Sequence, residues 1–199
     1  MTEPAITNPA SNRSSTKCIG PSSHKCYYMF MIRRAETKDI EAIMEITKRV
    51  NINNIPDKGN GFLLSKMPFE FYERLFTISD YCYVCEIDKK VVGFLLAYLN
   101  NIMERKDELE SYFWDNHSKE KFVYIFQVAV APDYQRKNVG YELYEKLFNN
   151  SQVKNFKVIT SKEPFNKASR IFHQKLGFKE SAVFKWDNGK ESYVYEKTV

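Results

Sequence analysis

The stretch from Phe122 to Phe148 constrains the fold of this chain more than any other. It opens with an apolar run, Phe122 to Ala131, in which only Tyr124 and Gln127 are polar, and such a run predicts a strand buried on both faces. A turn rich in basic residues follows, and from Val139 the apolar residues recur at helical spacing. The first N–H groups of a helix have no partners within it and carry partial positive charge, so the stretch predicts a binding site for a phosphate group.

The composition fits one globular domain. The chain has 199 residues, of which 43% are hydrophobic, and its net charge is +5. This mild positive charge would serve a phosphate-bearing cofactor as well as a nucleic acid. Because the sequence has neither a P-loop nor a G-x-G-x-x-G pattern, nor a basic and aromatic recognition motif, we expect no nucleic-acid partner.

The cysteines predict free thiols and no metal site. Cys82 and Cys85 form a C-x-x-C pair inside a predicted strand, where residues three apart point to opposite faces. Cys18, His24 and Cys26 lie in a segment rich in Ser, Asn and Pro that has the composition of an unstructured chain. The pattern therefore indicates reduced cysteines in a reducing compartment.

The start of the chain predicts a flexible leader, residues 1–27, ahead of a folded domain, residues 28–199. No apolar run reaches the 18 residues typical of a spanning helix, and no secretory signal pattern is present, so we expect no membrane partner and a cytoplasmic location. Organellar targeting by residues 1–28 stays open, because this segment has basic and Ser residues and one acid.

Apolar periodicity and turn residues predict eleven elements in the order β, α, α, β, β, β, α, β, α, β, β, with a short amphipathic helix between the third and fourth strands. The predicted bounds are Tyr28 to Arg34, Thr37 as cap of a helix ending near Val50, Ser65 to Phe76, Tyr81 to Ile87, Val91 to Leu99, a helix within Asn100 to Lys121, Phe122 to Ala131, a helix from Val139, Phe156 to Thr160, Pro164 to Leu176, Phe178 to Trp186 and Ser192 to Lys197. The expected fold is α/β (α+β), a mixed, mostly antiparallel twisted sheet of about seven strands with helices on both faces.

Two segments resemble the GCN5-related N-acetyltransferase (GNAT) family. VAVAPDYQRKNVG, Val128 to Gly140, is similar to the strand and Q/R-x-x-G-x-G/A loop of that family, and NKASRIFHQKLGF, Asn166 to Phe178, is similar to its Asn, helix and Leu-Gly-Phe sequence. In element order the resemblance covers roughly Ile32 to Lys197. It implies a GNAT-like acyl-CoA N-acyltransferase fold.

The resemblance implies acetyl-CoA as co-substrate and assigns it a set of residues. Backbone groups of Val128, Ala129 and Val130 would pair with pantetheine as a neighbouring strand would, and the Val128 N–H would polarise the thioester carbonyl. The pyrophosphate would be held by the loop and first helical turn, with Asn166 also facing the cofactor. The loop residues are Gln135, Arg136, Lys137, Asn138, Val139, Gly140 and Tyr141.

Two positions depart from the family pattern. Asn138 replaces the first loop glycine, and Asn is the non-glycine residue that best tolerates positive φ. His173 stands where many members carry a tyrosine that protonates the departing thiolate, and an imidazole can do the same near neutral pH. A buried or surface histidine without a catalytic role is the alternative. The general base stays open between Tyr124, Glu163 and a chain of waters.

The expected function is direct transfer of acetyl to a primary amine in a ternary complex, by a monomer or homodimer. The alternative is a non-catalytic acyl-CoA-binding or regulatory module. The acceptor, a small amine or an amine of a protein or peptide, would be selected by the loops Asn51 to Lys66 and Asn100 to Lys121. The second loop carries an acidic cluster that can attract an amine, although a solvated helix face balanced by Arg105 and Lys106 is the simpler interpretation. The cluster consists of Glu104, Asp107, Glu108 and Glu110.

Overall fold

A computed structural model describes residues 30–199 of the chain, with the side chain of Asn60 excepted. The predicted leader, residues 1–27, therefore lies outside the described residues, as do the first two residues of the predicted first strand and the possible ligands Cys18, His24 and Cys26.

The described residues form seven strands and five α-helices, in the predicted order. The strands are β1 (Met31–Arg34), β2 (Cys82–Ile87), β3 (Lys90–Leu99), β4 (Val123–Val130), β5 (Asn155–Ser161), β6 (Lys179–Lys185) and β7 (Glu191–Thr198). The helices are α1 (Ile40–Arg49), α2 (Phe69–Ile78), α3 (Glu108–His117), α4 (Val139–Asn150) and α5 (Lys167–Lys175).

The strands form one sheet in the order β1-β2-β3-β4-β5-β7-β6. All neighbours are antiparallel except β4 and β5, which run parallel because α4 connects them as a crossover. The predicted mixed, mostly antiparallel sheet of about seven strands is confirmed.

Helices cover both faces of this sheet, so each face has its own apolar core. Residues of α1, α2 and α3 pack on one face, where Ile43, Tyr72 and Phe113 are fully buried. Residues of α4 pack on the other face, with Leu143 at the centre. Side chains alternate between the two faces along β2, so Cys82 lies in the first core and Cys85 in the second, both as free thiols. The prediction that these two side chains point to opposite faces of the sheet is confirmed.

The start of α1 differs from the prediction. Thr37 does not cap the helix, because Thr37–Asp39 forms a short 3-10 turn and α1 follows it. The Asp39 carboxylate accepts the N–H of Glu36 at 2.8 Å and pairs with Arg33 at 2.6 Å. This ion pair holds the carboxylate where it can fix the turn, and such a contact between strand and turn is not visible in the local sequence.

The sheet opens between β4 and β5. The two strands pair only over Val123–Ile125 and Phe156–Val158, although both continue further. On the other side of β4, the register with β3 shifts between Leu96 and Ala97. A bulge of this kind increases the local twist and bends the strand, and it therefore accounts for the separation of β4 from β5. None of the helices in residues 30–199 is long and apolar enough to span a lipid bilayer.

Candidate active site

A cleft of about 1080 Å³ opens where β4 and β5 separate. The unpaired ends of both strands line it, together with the loop between α1 and α2, the start of α3, the loop before α4 and the exposed side of α5. The cleft contains residues from both segments of the family resemblance, Val128 to Gly140 and Asn166 to Phe178. These segments are far apart in the chain, and the parallel pairing of β4 and β5 brings them together.

The backbone of β4 presents free polar groups to this cleft. The N–H of Ala131 donates to Val92 O at 2.8 Å and therefore points toward β3. Because backbone groups of successive strand residues point to opposite sides, those of Val130 and Val128 point toward β5, where no strand pairs with them. An extended ligand lying in the cleft can pair with these groups as a strand would.

The loop from Gln135 to Asn138 turns the chain sharply into α4. Arg136 and Asn138 both have positive φ, 59° and 65°, so Asn138 adopts the left-handed conformation that the sequence led us to expect of it. Gln135 supports the loop, because its Nε2 donates to Val130 O at 3.2 Å. Lys137 lies over the ring of Tyr134, with Nζ 5.1 Å from the ring centroid.

The first turn of α4 has unpaired donors. The N–H of Glu142 donates to Asn138 O at 3.0 Å. Within residues 30–199 the N–H groups of Val139, Gly140 and Tyr141 have no hydrogen-bond partner, and all three residues line the cleft. Since the positive end of the helix dipole lies at the same place, this turn can bind a phosphate group.

Gly140 is required by packing rather than by backbone conformation. A Cβ atom at this position would lie 3.1 Å from Cζ of Phe172, closer than ordinary carbon contacts. The glycine therefore lets α4 approach α5 closely, and this approach fixes the loop against the cleft. The glycine predicted to contact phosphate thus also has a packing role.

Asn166 is the N-cap of α5 and also a clamp between two segments. Its Oδ1 accepts from the Ser169 N–H at 3.2 Å, and its Nδ2 donates to Phe62 O at 2.9 Å. The side chain lies in the cleft wall and is buried. Its polar atoms are engaged within the protein, so its assignment to the cofactor stays a prediction.

His173 lies deep in the second core, with 1% of its surface exposed. Its Nδ1 is 2.8 Å from Ser169 O, and its Nε2 is 2.6 Å from the Tyr144 hydroxyl. A carbonyl oxygen can only accept, so Nδ1 carries the proton and Nε2 accepts the hydrogen of Tyr144. Burial lowers the pKa of His173 from 6.5 to about 4. The imidazole is therefore neutral at pH 7, and its single proton is held by a carbonyl.

This environment favours a structural role for His173. The residue borders the cleft wall, yet neither ring nitrogen is free to exchange a proton with a ligand there. Tyr144, Phe172 and Phe178 surround the ring with edge-on contacts. The proposed role as proton donor stays a prediction, and the structure gives it no support.

The candidates for the general base occupy different environments. Tyr124 lines the cleft, but burial raises the pKa of its phenol far above neutrality. Glu163 is exposed and does not line the cleft. Gln127 also lines it, but an amide cannot take a proton at pH 7. Neither predicted side chain is thus placed as an effective base. In residues 30–199, no group of three or more His, Cys, Asp or Glu is arranged to hold a metal ion.

The sequence did not reveal the side of the cleft that faces α3. Tyr98 lies opposite Tyr124 in the β3–β4 register, and its ring is 5.5 Å from that of Tyr124. Asp107 and Glu110 also line the cleft, so the acidic cluster is only partly the solvated face expected from the sequence. The contact depends on strand register and on the position of α3, neither of which the local sequence encodes.

Comparisons with known proteins agree with this architecture. The sequence profile of a family described as "Acetyltransferase (GNAT) family" matches residues 41–178, more than half of the chain. A comparison with the sequences of curated proteins gives no match.

Several solved structures have a similar fold. Ard1 from Thermoplasma volcanium is 16% identical, with a TM-score of 0.63 over 85% of this chain and 97% of its own. The Drosophila melanogaster polyamine N-acetyltransferase, which forms N-acetylagmatine, is 12% identical, with a TM-score of 0.63 over 85% of this chain and 100% of its own. Arabidopsis thaliana Naa50, in complex with the bisubstrate analogue CoA-Ac-MVNAL, is 14% identical, with a TM-score of 0.59 over 85% of this chain and 99% of its own. At such identities the similarity establishes the fold alone.

Proposed function

Because the chain belongs to the acetyltransferase (GNAT) family, we propose that it transfers acetyl from acetyl-CoA directly to a primary amine. One observation carries the proposal. The N–H and carbonyl of Val128 and the N–H of Val130, which pair with no strand, lie in the same cleft as the unpaired N–H groups of Val139, Gly140 and Tyr141. A row of amide partners ending in an anion site fits a ligand that has both amides and a pyrophosphate, as acetyl-CoA does.

The residues present can bind each part of this co-substrate. Backbone groups of β4 would pair with the pantetheine amides, and the first turn of α4 would bind the pyrophosphate. The Val128 N–H would donate to the thioester oxygen as negative charge grows there, a contribution that is stronger in a cleft with little water. Acetyl-CoA supplies the activated acetyl group in this scheme.

The reaction balances without a covalent enzyme intermediate. The amine nitrogen attacks the acetyl carbon, the new N–C bond forms and the C–S bond breaks. The acceptor enters as an ammonium and loses one proton before its nitrogen attacks and a second one afterwards. One of the two ends on the departing thiolate, so that the products are an amide, a thiol and one proton. The fully buried Cys82 and Cys85 do not line the cleft, which agrees with direct transfer.

The cleft has few side chains that could accept or donate a proton in this reaction. Neither His173 nor Tyr124 is in a state suited to proton exchange at pH 7, so we propose that ordered water carries the protons to solvent. The same observation keeps a second candidate function open, namely a non-catalytic acyl-CoA-binding or regulatory module. Such a module would bind acetyl-CoA and release no thiol.

A thiol-release assay distinguishes the two functions. Purified protein and acetyl-CoA are combined with small amines, amino acids, peptides with free N-termini and lysine peptides, and free CoA is measured with a thiol reagent. Amine-dependent release together with the acetylated product by mass spectrometry is the expected result. Tight acetyl-CoA binding by calorimetry without release across the panel would favour the binding module instead. A monomer or homodimer acting in the cytoplasm stays our expectation.

A further inference from the structure

The end of the cleft beside α3 contains two carboxylates without cationic partners. Asp107 is exposed and Glu110 is half-buried, and both line the cleft. In residues 30–199 neither forms an ion pair, whereas the neighbouring cations Arg105 and Lys106 are paired with Asp115 and Glu104 respectively.

Local hydrogen bonds hold both carboxylates in place. Asp107 is the N-cap of α3, and its Oδ1 accepts from the Glu110 N–H at 2.8 Å. Glu110 accepts the N–H groups of Glu104 and Lys106 through Oε2, at 3.0 and 3.2 Å. Oδ2 of Asp107 and Oε1 of Glu110 remain for a ligand, so the negative charge at this end of the cleft is both fixed and uncompensated.

An aromatic wall connects these carboxylates with the place where β4 and β5 separate. The rings of Tyr98 and Tyr124 are 5.5 Å apart, and the ring of Phe126 is 6.4 Å from that of Tyr98. All three side chains line the cleft. An alkyl chain packed along this wall would lose contact with water and would meet the faces and edges of three rings.

Polar groups without partners also line this cleft. Gln127 is 5% exposed, its Nε2 donates to Ser65 O at 3.3 Å, and its Oε1 has no partner. Within the described residues the hydroxyls of Tyr98 and Tyr124 form no hydrogen bond, and although the side chains are largely buried, the hydroxyl oxygens themselves are not fully enclosed. An unpaired buried acceptor is costly, so Oε1 of Gln127 points to a ligand that donates a hydrogen bond.

The field of the carboxylates reaches these phenols. Burial raises the pKa of Tyr98 most, the neighbouring Tyr124 comes next, and the carboxylates of Glu110 and Asp107 raise it further. For Tyr124 burial is again the main cause, and the charges of Asp107 and Glu110 add to it. A cation bound beside these phenols would therefore be attracted by both carboxylates.

We propose that this end of the cleft is a second-cation subsite, in which Asp107 and Glu110 bind the distal ammonium of a diamine while its other amine, beside Gln127, is acetylated. The inference rests on the proposed acetyl transfer and names the acceptor class for it. The aromatic wall would hold the alkyl spacer, and Oε1 of Gln127 would accept a hydrogen from the reacting nitrogen. The loss of protons and the transfer of acetyl balance as described above, and the distal ammonium is unchanged.

The spacing gives the expected length of the diamine. Tyr124 and Val128 are four residues apart on β4, which is about 13 Å at the rise of a strand. We expect the two nitrogens of a good acceptor to be separated by a distance on the order of 10 Å, so that longer diamines are used better than short ones.

The test compares unbranched α,ω-diamines with the n-alkylamines of the same carbon number, by kcat/KM from CoA release. We expect the diamine to be preferred by about tenfold at low salt for the best length, since a partly solvated ion pair is worth about fivefold at most and two carboxylates act together. Added salt reduces the preference because it screens the charges.

Charge-removing variants assign the preference to the two carboxylates. Asp107→Asn keeps an N-cap acceptor and Glu110→Gln keeps its shape, and each is expected to reduce the ratio of diamine to monoamine kcat/KM about threefold to fivefold. Glu108→Gln is the matched control, because it removes one negative charge from the same helix outside the cleft lining, keeps an oxygen to accept the Asp187 N–H and should leave the ratio unchanged.

The outcomes separate this inference from the proposed function. Equal use of diamines and monoamines, a ratio insensitive to both variants, or a clear preference for peptide N-termini over every diamine would overturn the subsite while acetyl transfer stands. If no amine of any class supports CoA release, the proposed function fails and the subsite with it. Thermal unfolding of each variant checks that the fold is retained.

Discussion

The buried, neutral imidazole of His173 differs from the exposed proton donor that its position in the sequence implies, and this difference can be tested. We consider the replacement of His173 by Phe together with Tyr144→Phe. Replacing His173 alone would leave the Tyr144 hydroxyl buried without its partner, at a cost of about 1–3 kcal/mol. Removing both polar groups avoids that cost and keeps aromatic rings within the cluster.

The magnitude follows from protonation. The pKa of His173 is about 4 in the folded protein against an ordinary value of 6.5. Between these values the unfolded chain binds a proton that the folded chain does not, so the free energy of unfolding falls as the pH drops through this window. The loss amounts to about 3 kcal/mol at pH 4 or below, and the full contribution is present above pH 6.5.

Urea unfolding from pH 4 to pH 8 measures this effect. The wild type should lose about 3 kcal/mol more stability over the range than the Tyr144→Phe/His173→Phe variant. Tyr144→Phe alone retains the histidine and should keep the dependence on pH. If the wild type and the double variant have parallel pH profiles, the buried neutral histidine is refuted.

The same variants test catalysis. If His173 has only a structural role, the double variant retains acetyl transfer and the acetyl-CoA affinity measured by calorimetry. A turnover reduced at least a hundredfold with cofactor binding unchanged would restore His173 as the proton donor and contradict the structural role.

Three further predictions concern the cleft. Asn138→Gly should keep or tighten acetyl-CoA binding by calorimetry, since glycine adopts φ of 65° without strain. A large loss of affinity would show that the Asn138 side-chain amide makes a needed contact. Asn138→Ala is the control, because alanine tolerates this φ less well than asparagine does. Asn166→Ala should lower the free energy of unfolding by about 2–4 kcal/mol in urea, because the cap and the buried bond to Phe62 O are both lost. Asn166→Asp keeps the cap acceptor, so an equal cost for both variants would assign the effect to the Phe62 bond alone. Val128→Pro removes an N–H that points to the cleft and should lower kcat by about a hundredfold or more while the fold is retained. Its control, Ala129→Pro, removes a hydrogen bond to β3 and should unfold the protein. An unchanged kcat in Val128→Pro would show that this N–H has no part in the mechanism.

Much of the fold was readable because its signals are local. The apolar run before Val139 and the periodic residues after it specify β4 and α4 within one stretch, and the turn Asp187-Asn188-Gly189 specifies the last hairpin. One departure came from a contact between two elements, a strand and the turn that follows it. Asp39 rather than Thr37 organises the start of α1, because Arg33 on the neighbouring strand pairs with it.

The features of the candidate site also fall into those that local sequence predicts and those that depend on packing. The loop with positive φ at Asn138 and the unpaired first turn of α4 follow from residues adjacent in the chain, and the sequence indicated both. His173 could not be assigned, because its partner Tyr144 lies 29 residues away on another helix. Spacing placed the imidazole near Asn166, but only packing decides whether a side chain reaches solvent or the core.

The order of the elements, the sharp turn before α4 and the family could therefore be predicted from the amino-acid sequence. Each of these depends on residues close in the chain, where the periodicity of side chains and the conformational preference of single residues decide the outcome. Only the three-dimensional packing decides where β4 leaves β5, that His173 is buried and neutral, and that Asp107 and Glu110 line the same cleft as the aromatic wall. These features depend on strand register, on a bulge and on helix packing, which arise from contacts between segments that are remote in sequence.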